Sequence, residues 1–115
     1  MIKKAIWLTY DLGVGGDYKN LYAWLDDHGA VDCGNNFAFL RLPYERGISD
    51  EDFMEQVLAD IRESVSLAPG NRIYVVRTSD DGNGVKAKGS FLYGKRKASP
   101  WEGYGTKESS SEEVG

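Results

Sequence analysis

Lys4-Ala5-Ile6-Trp7-Leu8-Thr9-Tyr10-Asp11 is a short apolar run that ends in an acid and then in the glycine-rich turn Leu12-Gly13-Val14-Gly15-Gly16. Side chains alternate across a strand, so Ile6, Leu8 and Tyr10 fall on one face and Ala5, Trp7 and Thr9 on the other. Both faces are largely apolar, which predicts a central strand. Asp11 stands where that strand leaves the core. It is either a turn residue accepting backbone N–H groups or a metal ligand, and most of the functional question is which.

Beyond the turn, Asp17 is a good N-cap, and Tyr18, Leu21, Tyr22 and Leu25 follow at the spacing of one helical stripe running to about His28. Gly29 ends the helix as a left-handed C′ residue, and His28 in the last turn faces the negative end of the helix dipole. Residues 30–34 and 36–42 read as two strands, or as one bent strand, with Gly34 and Asn35 at the break. Ser49 then caps a second helix whose first turn is Asp50-Glu51-Asp52, with Ile48 and Phe53 as a hydrophobic staple. Phe53, Met54, Val57, Leu58, Ile61 and Val65 make its buried stripe, while Glu55, Asp60 and Glu63 face water. Pro69-Gly70 turns the chain into Arg72–Thr78, a strand by its β-branched and aromatic content.

Strand, helix, strand, strand, helix, strand predicts an α+β, ferredoxin-like βαββαβ fold: a four-stranded antiparallel sheet with two helices on one face. Val85–Tyr93 is a candidate fifth strand. The division expected is a domain over 1–93, a basic-aromatic arm over 94–104 and a disordered Ser/Glu tail over 105–115. The uncovered sheet face carries Trp7, Tyr74 and the Phe37/Phe39 pair, more aromatic surface than one helix layer covers, and this predicts a homodimer.

The 115 residues suit one domain, and 28% charged against 41% hydrophobic residues excludes a disordered chain. No apolar run approaches the ~20 residues of a membrane-spanning helix, so a cytoplasmic location is the default expectation. The single Cys33 and single His28 exclude an internal disulfide and a Cys/His zinc site within one chain. Cys33 reads as a small buried apolar residue. The net charge of −4 is unevenly divided along the chain: residues 1–81 carry eight bases and fourteen acids, and residues 86–107 six bases and one acid. An acidic body argues against long-range attraction of nucleic acid.

Two motifs invite ligands. The loop Gly13-Val14-Gly15-Gly16 before a helix resembles a phosphate cradle, but it lacks the Lys-Ser/Thr ending of a P-loop, and Asp17 at the cap would repel an anion. Lys86, Lys88, Lys95, Arg96 and Lys97, interleaved with Phe91, Tyr93, Trp101 and Tyr104, form the one basic-aromatic segment. Its cations suit phosphates and its rings suit bases; a partner-contacting strand with outward Lys residues is the alternative.

The apolar strand closing in Tyr10-Asp11, the helix ending in Gly29, the strand run 30–42 with Asn35-Asn36 before Phe37, and the strand Arg72–Thr78 together resemble the Cas2 and VapD group of small ferredoxin-like proteins. That resemblance implies a symmetric homodimer in which the last strand can cross to the partner. It also implies a metal-dependent endonuclease, acting on RNA or DNA, in which Asp11 from two subunits holds Mg2+. The turn after Asp11 departs from the group by lacking basic residues, with only Lys19 beyond it. The alternative function is a non-catalytic dimeric interaction or regulatory module. In that reading Lys86, Lys88, Lys95, Arg96, Lys97 and Trp101 contact the partner instead of nucleic acid.

Overall fold

The computed structural model describes residues 2–80 and 82–106. The chain runs β1 (Ile2–Asp11), α1 (Tyr18–Asp27), β2 (Val31–Gly34), β3 (Phe37–Tyr44), α2 (Asp50–Ser64), β4 (Arg72–Asp80) and β5 (Val85–Tyr93). The sheet has the order β2-β3-β1-β4-β5, antiparallel throughout, so β1 lies at its centre. This corrects the four-stranded expectation. β5 pairs with β4 of its own chain from Asp80↔Val85 to Ile73↔Tyr93, and Leu92 enters the core. The two-helix α+β arrangement is compatible with the ferredoxin-like reading, with one strand added.

Alternation decides which face is covered. Ile6, Leu8, Leu40, Ile73 and Val75 are buried against Leu21, Trp24 and Leu25 of α1 and Phe53, Val57 and Ile61 of α2. On the other face Trp7, Phe37, Phe39, Tyr74, Val76 and Phe91 are only half-buried. β1 is therefore central without being covered on both sides.

The caps form largely as expected. Ser49 Oγ accepts from the Asp52 N–H at 3.1 Å. Asp17 accepts from the Asn20 N–H and side chain, and also from the Ser66 N–H at 2.8 Å. The Ser66 bond, then that of the Asn20 side chain, holds the Asp17 carboxyl below its ordinary value.

Several local expectations are corrected. The hairpin between β2 and β3 turns on Asn35-Asn36, with Asn36 at φ 55, and β2 bulges between Asp32 and Gly34. Cys33 lies in that bulge and is exposed, not buried. The inner stripe of α1 is Leu21, Trp24 and Leu25; Tyr22 is half outside, and with Tyr18 it packs on Tyr10 in a three-ring cluster. Burial, then the neighbouring Tyr22, pushes the Tyr10 hydroxyl up to about 12. Asp60 of α2 does not simply face water. Its Oδ2 accepts from the Trp24 indole N–H at 2.8 Å and lies 3.4 Å from His28 Nε2, while His28 Nδ1 sits 2.7 Å from the Trp24 carbonyl oxygen. His28 thus meets the last-turn carbonyls as expected, and also ties α1 to α2.

The sheet's end near Asp11 is closed tightly. Asn71 is buried, donates to the Leu12 carbonyl oxygen at 3.0 Å and accepts from the Ala68 N–H. Gly94 follows β5 at φ +83, where an added Cβ would lie 2.3 Å from the Asn71 carbonyl oxygen. Gly94→Ala must distort a left-handed backbone and move a buried strand end, so a loss of about 1–2 kcal/mol is expected in a denaturant melt.

Candidate nucleic-acid interface

The uncovered face of the sheet is built in rows by strand register. Phe39, Trp7, Val76 and Gly89 lie across β3, β1, β4 and β5 in one row, and Phe37, Thr9, Tyr74 and Phe91 in the next. Odd residues of β1 and β3 and even residues of β4 share this face because the period of a strand is two. Trp7 and Phe39 meet with ring centroids 5.1 Å apart, and Tyr74 and Phe91 meet edge to face at 4.9 Å. Gly89 gives the room for this: a Cβ there would stand 2.6 Å from the Tyr74 hydroxyl oxygen.

Cations border the rings. The Arg41 guanidinium lies over the Phe39 ring and that of Arg96 over the Phe91 ring, each 5.6 Å from the centroid. Arg72 and Asp11 pair at the next register position, with Arg72 Nη2 3.7 Å from Asp11 Oδ2. By the same alternation Asp11 and Asp80 sit at the two ends of the face, and no acid lies in the aromatic rows between them.

The acids are elsewhere. The two helices carry eight acids and two bases, a net −6 that equals the net charge of residues 1–81. The acidic body of the sequence is thus the helix layer, on the opposite side from the rings. Division of charge along the chain concealed a division through space.

One further charged group lies inside. Arg77 is only 4% exposed, on the helix side of β4. Its Nε and Nη2 donate to the two carboxylate oxygens of Asp50 at 3.0 and 2.5 Å, and its Nη1 donates to the Val75 carbonyl and Ser90 hydroxyl oxygens. The Arg77 hydrogen bond holds the Asp50 carboxyl below its ordinary value. Lys4 stands over the Tyr44 and Phe53 rings, and burial lowers its ammonium. With all of its donors to Asp50 used in pairing, Arg77 holds α2 to the sheet.

The expected site residues fall into two sets. Asp11 and Arg96 come together, lining with Thr9, Arg72, Tyr74 and Phe91 a cavity of about 420 Å³ at one end of the open face. Lys86, Lys88, Lys95, Lys97 and Trp101 are exposed but outside it. Lys88 instead acts on Asp50 and Lys4 from the helix side. The tail expected to be disordered lies, from 107 onward, outside the described residues.

Asp11 behaves as a turn residue: its Oδ1 accepts from the Gly13 N–H at 3.0 Å while Oδ2 faces Arg72. A guanidinium beside the carboxylate opposes a dication, and no group of three or more His, Cys, Asp or Glu gathers among the described residues. Within one chain Asp11 is the one carboxylate lining the cavity, so a Mg2+ held there would draw its remaining ligands from water or a second subunit. Residues missed by sequence reasoning are Arg72, Arg41 and Thr9. Alternation places Thr9 and Arg41 beside the aromatics, but Arg72 joins them only through the β1–β4 register.

The chain matches no protein-family model, no curated protein and no solved structure.

Proposed function

We propose that this chain is a non-catalytic interaction module of ferredoxin-like fold whose open sheet face binds single-stranded nucleic acid. The observation that carries this reading is the aromatic rows of Trp7, Phe39, Tyr74 and Phe91 bordered by Arg41, Arg72 and Arg96, with the net acidity confined to the helices behind. Unstacked bases offer flat π faces to such rings, and the arginines offer charge to the phosphates. Duplexes fit poorly, because their bases are already stacked and a flat sheet does not enter a groove.

Fluorescence anisotropy with a labelled single-stranded oligonucleotide and the matching duplex, each over a salt series, tests this. Binding should favour the single strand and weaken with salt, with a slope of about −0.7 for each phosphate neutralised. Absence of single-strand binding at low salt sinks the proposal.

A homodimeric, Cas2-like nuclease is the second reading, favoured by Asp11 being 53% exposed at the end of β1, where a second subunit's Asp11 could approach. It predicts cleavage of RNA or DNA that is stopped both by EDTA and by Asp11→Asn. With Arg72 beside the carboxylate, we expect no magnesium-dependent cleavage from the wild type. Cleavage with those two sensitivities would put the nuclease first.

A further inference from the structure

The cavity at the end of the open face has features that stacking alone does not use. Arg72 and Arg96 both line it, from β4 and from the segment after β5, alongside Thr9. Arg72 Nε is buried and, unlike the other buried side-chain nitrogens and oxygens of the described residues, has no hydrogen-bond partner. Its Nη2 lies 3.7 Å from Asp11, beyond hydrogen-bond length, and Asp11 already accepts from the Gly13 N–H. Arg72 is thus oriented by its acid without being satisfied by it. Nε itself is sealed from solvent, so the accessible part of the side chain, 30% exposed, is what offers guanidinium donors to a phosphate with two or more free oxygens.

Position narrows the ligand. The aromatic rows run from the middle of the sheet toward this cavity, where β1 leaves into its turn and Gly94 packs on the end of β4. We infer that the cavity is a subsite for a terminal phosphate monoester of the bound strand, held by Arg72 and Arg96 with its nucleoside against Phe91 and Tyr74. This deepens, and rests on, the nucleic-acid reading above. A monoester carries about −1.5 to −2 charges at neutral pH where an internal diester carries one, so the two arginines, net of the Asp11 carboxylate that lines the same cavity, favour strand ends over strand interiors.

Binding of an oligothymidylate ending in a 5′-phosphate, a 3′-phosphate or hydroxyls at both ends is compared by anisotropy in EDTA, for wild type, Arg96→Gln and Trp7→Ala. Arg96 is exposed, so its replacement leaves the core untouched. Wild type should prefer one or both phosphorylated oligonucleotides by on the order of tenfold, the worth of one charge-assisted hydrogen bond. Arg96→Gln should remove most of that preference while still binding the hydroxyl-ended strand. Trp7→Ala should weaken all three alike and keep the preference. Equal wild-type affinities overturn the subsite while leaving the platform standing, as does a preference that survives Arg96→Gln. No binding of any oligonucleotide overturns both.

Discussion

Asp50→Ala is expected to cost about 3–5 kcal/mol, because it leaves the Arg77 guanidinium uncompensated in the core. Arg77 is 5% and Asp50 13% exposed by side chain, so little water is at hand to replace the lost carboxylate. Against the roughly 5–15 kcal/mol of a whole domain, that loss can leave the chain largely unfolded. The reverse change should be milder. Arg77→Leu leaves Asp50 in the first turn of α2, where the helix dipole still favours an anion, and puts an apolar side chain beside Val75. Asp50→Ala combined with Arg77→Leu should therefore recover stability lost in Asp50→Ala, and urea melts of the three variants measure the coupling. The sign with pH follows from the lowered Asp50 carboxyl. Its contribution is complete above the ordinary carboxylate range and is lost as pH falls through the depressed value, so an acid titration should destabilise wild type more than the double variant. Equal losses from Asp50→Ala and Arg77→Leu, each under 1 kcal/mol, would show that the pair does not hold α2 to the sheet.

Arg77 also shows how far the sequence can be read. Ile73, Val75 and Arg77 share a face by alternation, so a core-facing charge was legible in Arg72–Thr78 alone. Its partner was not. Asp50 looked like a first-turn acid serving the dipole, and nothing local joins it to a residue 27 positions later in the chain. Asp60 faces water as its helical position implies, being 51% exposed, but helical period gives a residue's direction and not the reach of a neighbour's indole, here that of Trp24. The two helices, their Asp17 and Ser49 caps and the central strand were legible because each rests on spacing within about ten residues. β5 was visible as a β-rich segment, yet whether it pairs in its own chain depends on the short Asp80–Val85 connection and on Leu92 reaching the core.

The candidate face was half legible. Trp7 with Thr9 and Phe37 with Phe39 alternate within single strands and mark an uncovered aromatic side. Tyr74 is read onto the same side from the sequence, but adding Phe91 needs the β4–β5 register, which contains an irregularity between Ile73 and Tyr74 that no local pattern announces. The charge division along the chain holds, but its placement in space needs the fold. An acidic body and a basic extension are legible as counts along the chain, and folding adds a second division, between acidic helices and an aromatic face edged with arginine.

Trp7→Ala should weaken single-strand binding by about 1–3 kcal/mol, roughly 5- to 150-fold, the range for one base stacked on one ring. Trp7 is central to the face, on β1 and directly opposite Phe39 and Val76, so a strand crossing from Arg41 to Arg72 passes over it. Its loss leaves the helix-side core intact, because Ile6 and Leu8 point the other way and stay buried. The variant should still melt cooperatively, with a loss no larger than that of one half-buried aromatic pair. Tyr22→Ala supplies the control, since Tyr22 is 50% exposed in the helix layer and packs on Tyr10 and Tyr18. An open-face site makes the first change large and the second negligible at equal fraction folded. If Tyr22→Ala weakens binding as much as Trp7→Ala, contact runs over the helices instead. A salt slope unchanged between wild type and Trp7→Ala would further assign Trp7 to the bases and leave the phosphates to Arg41, Arg72 and Arg96.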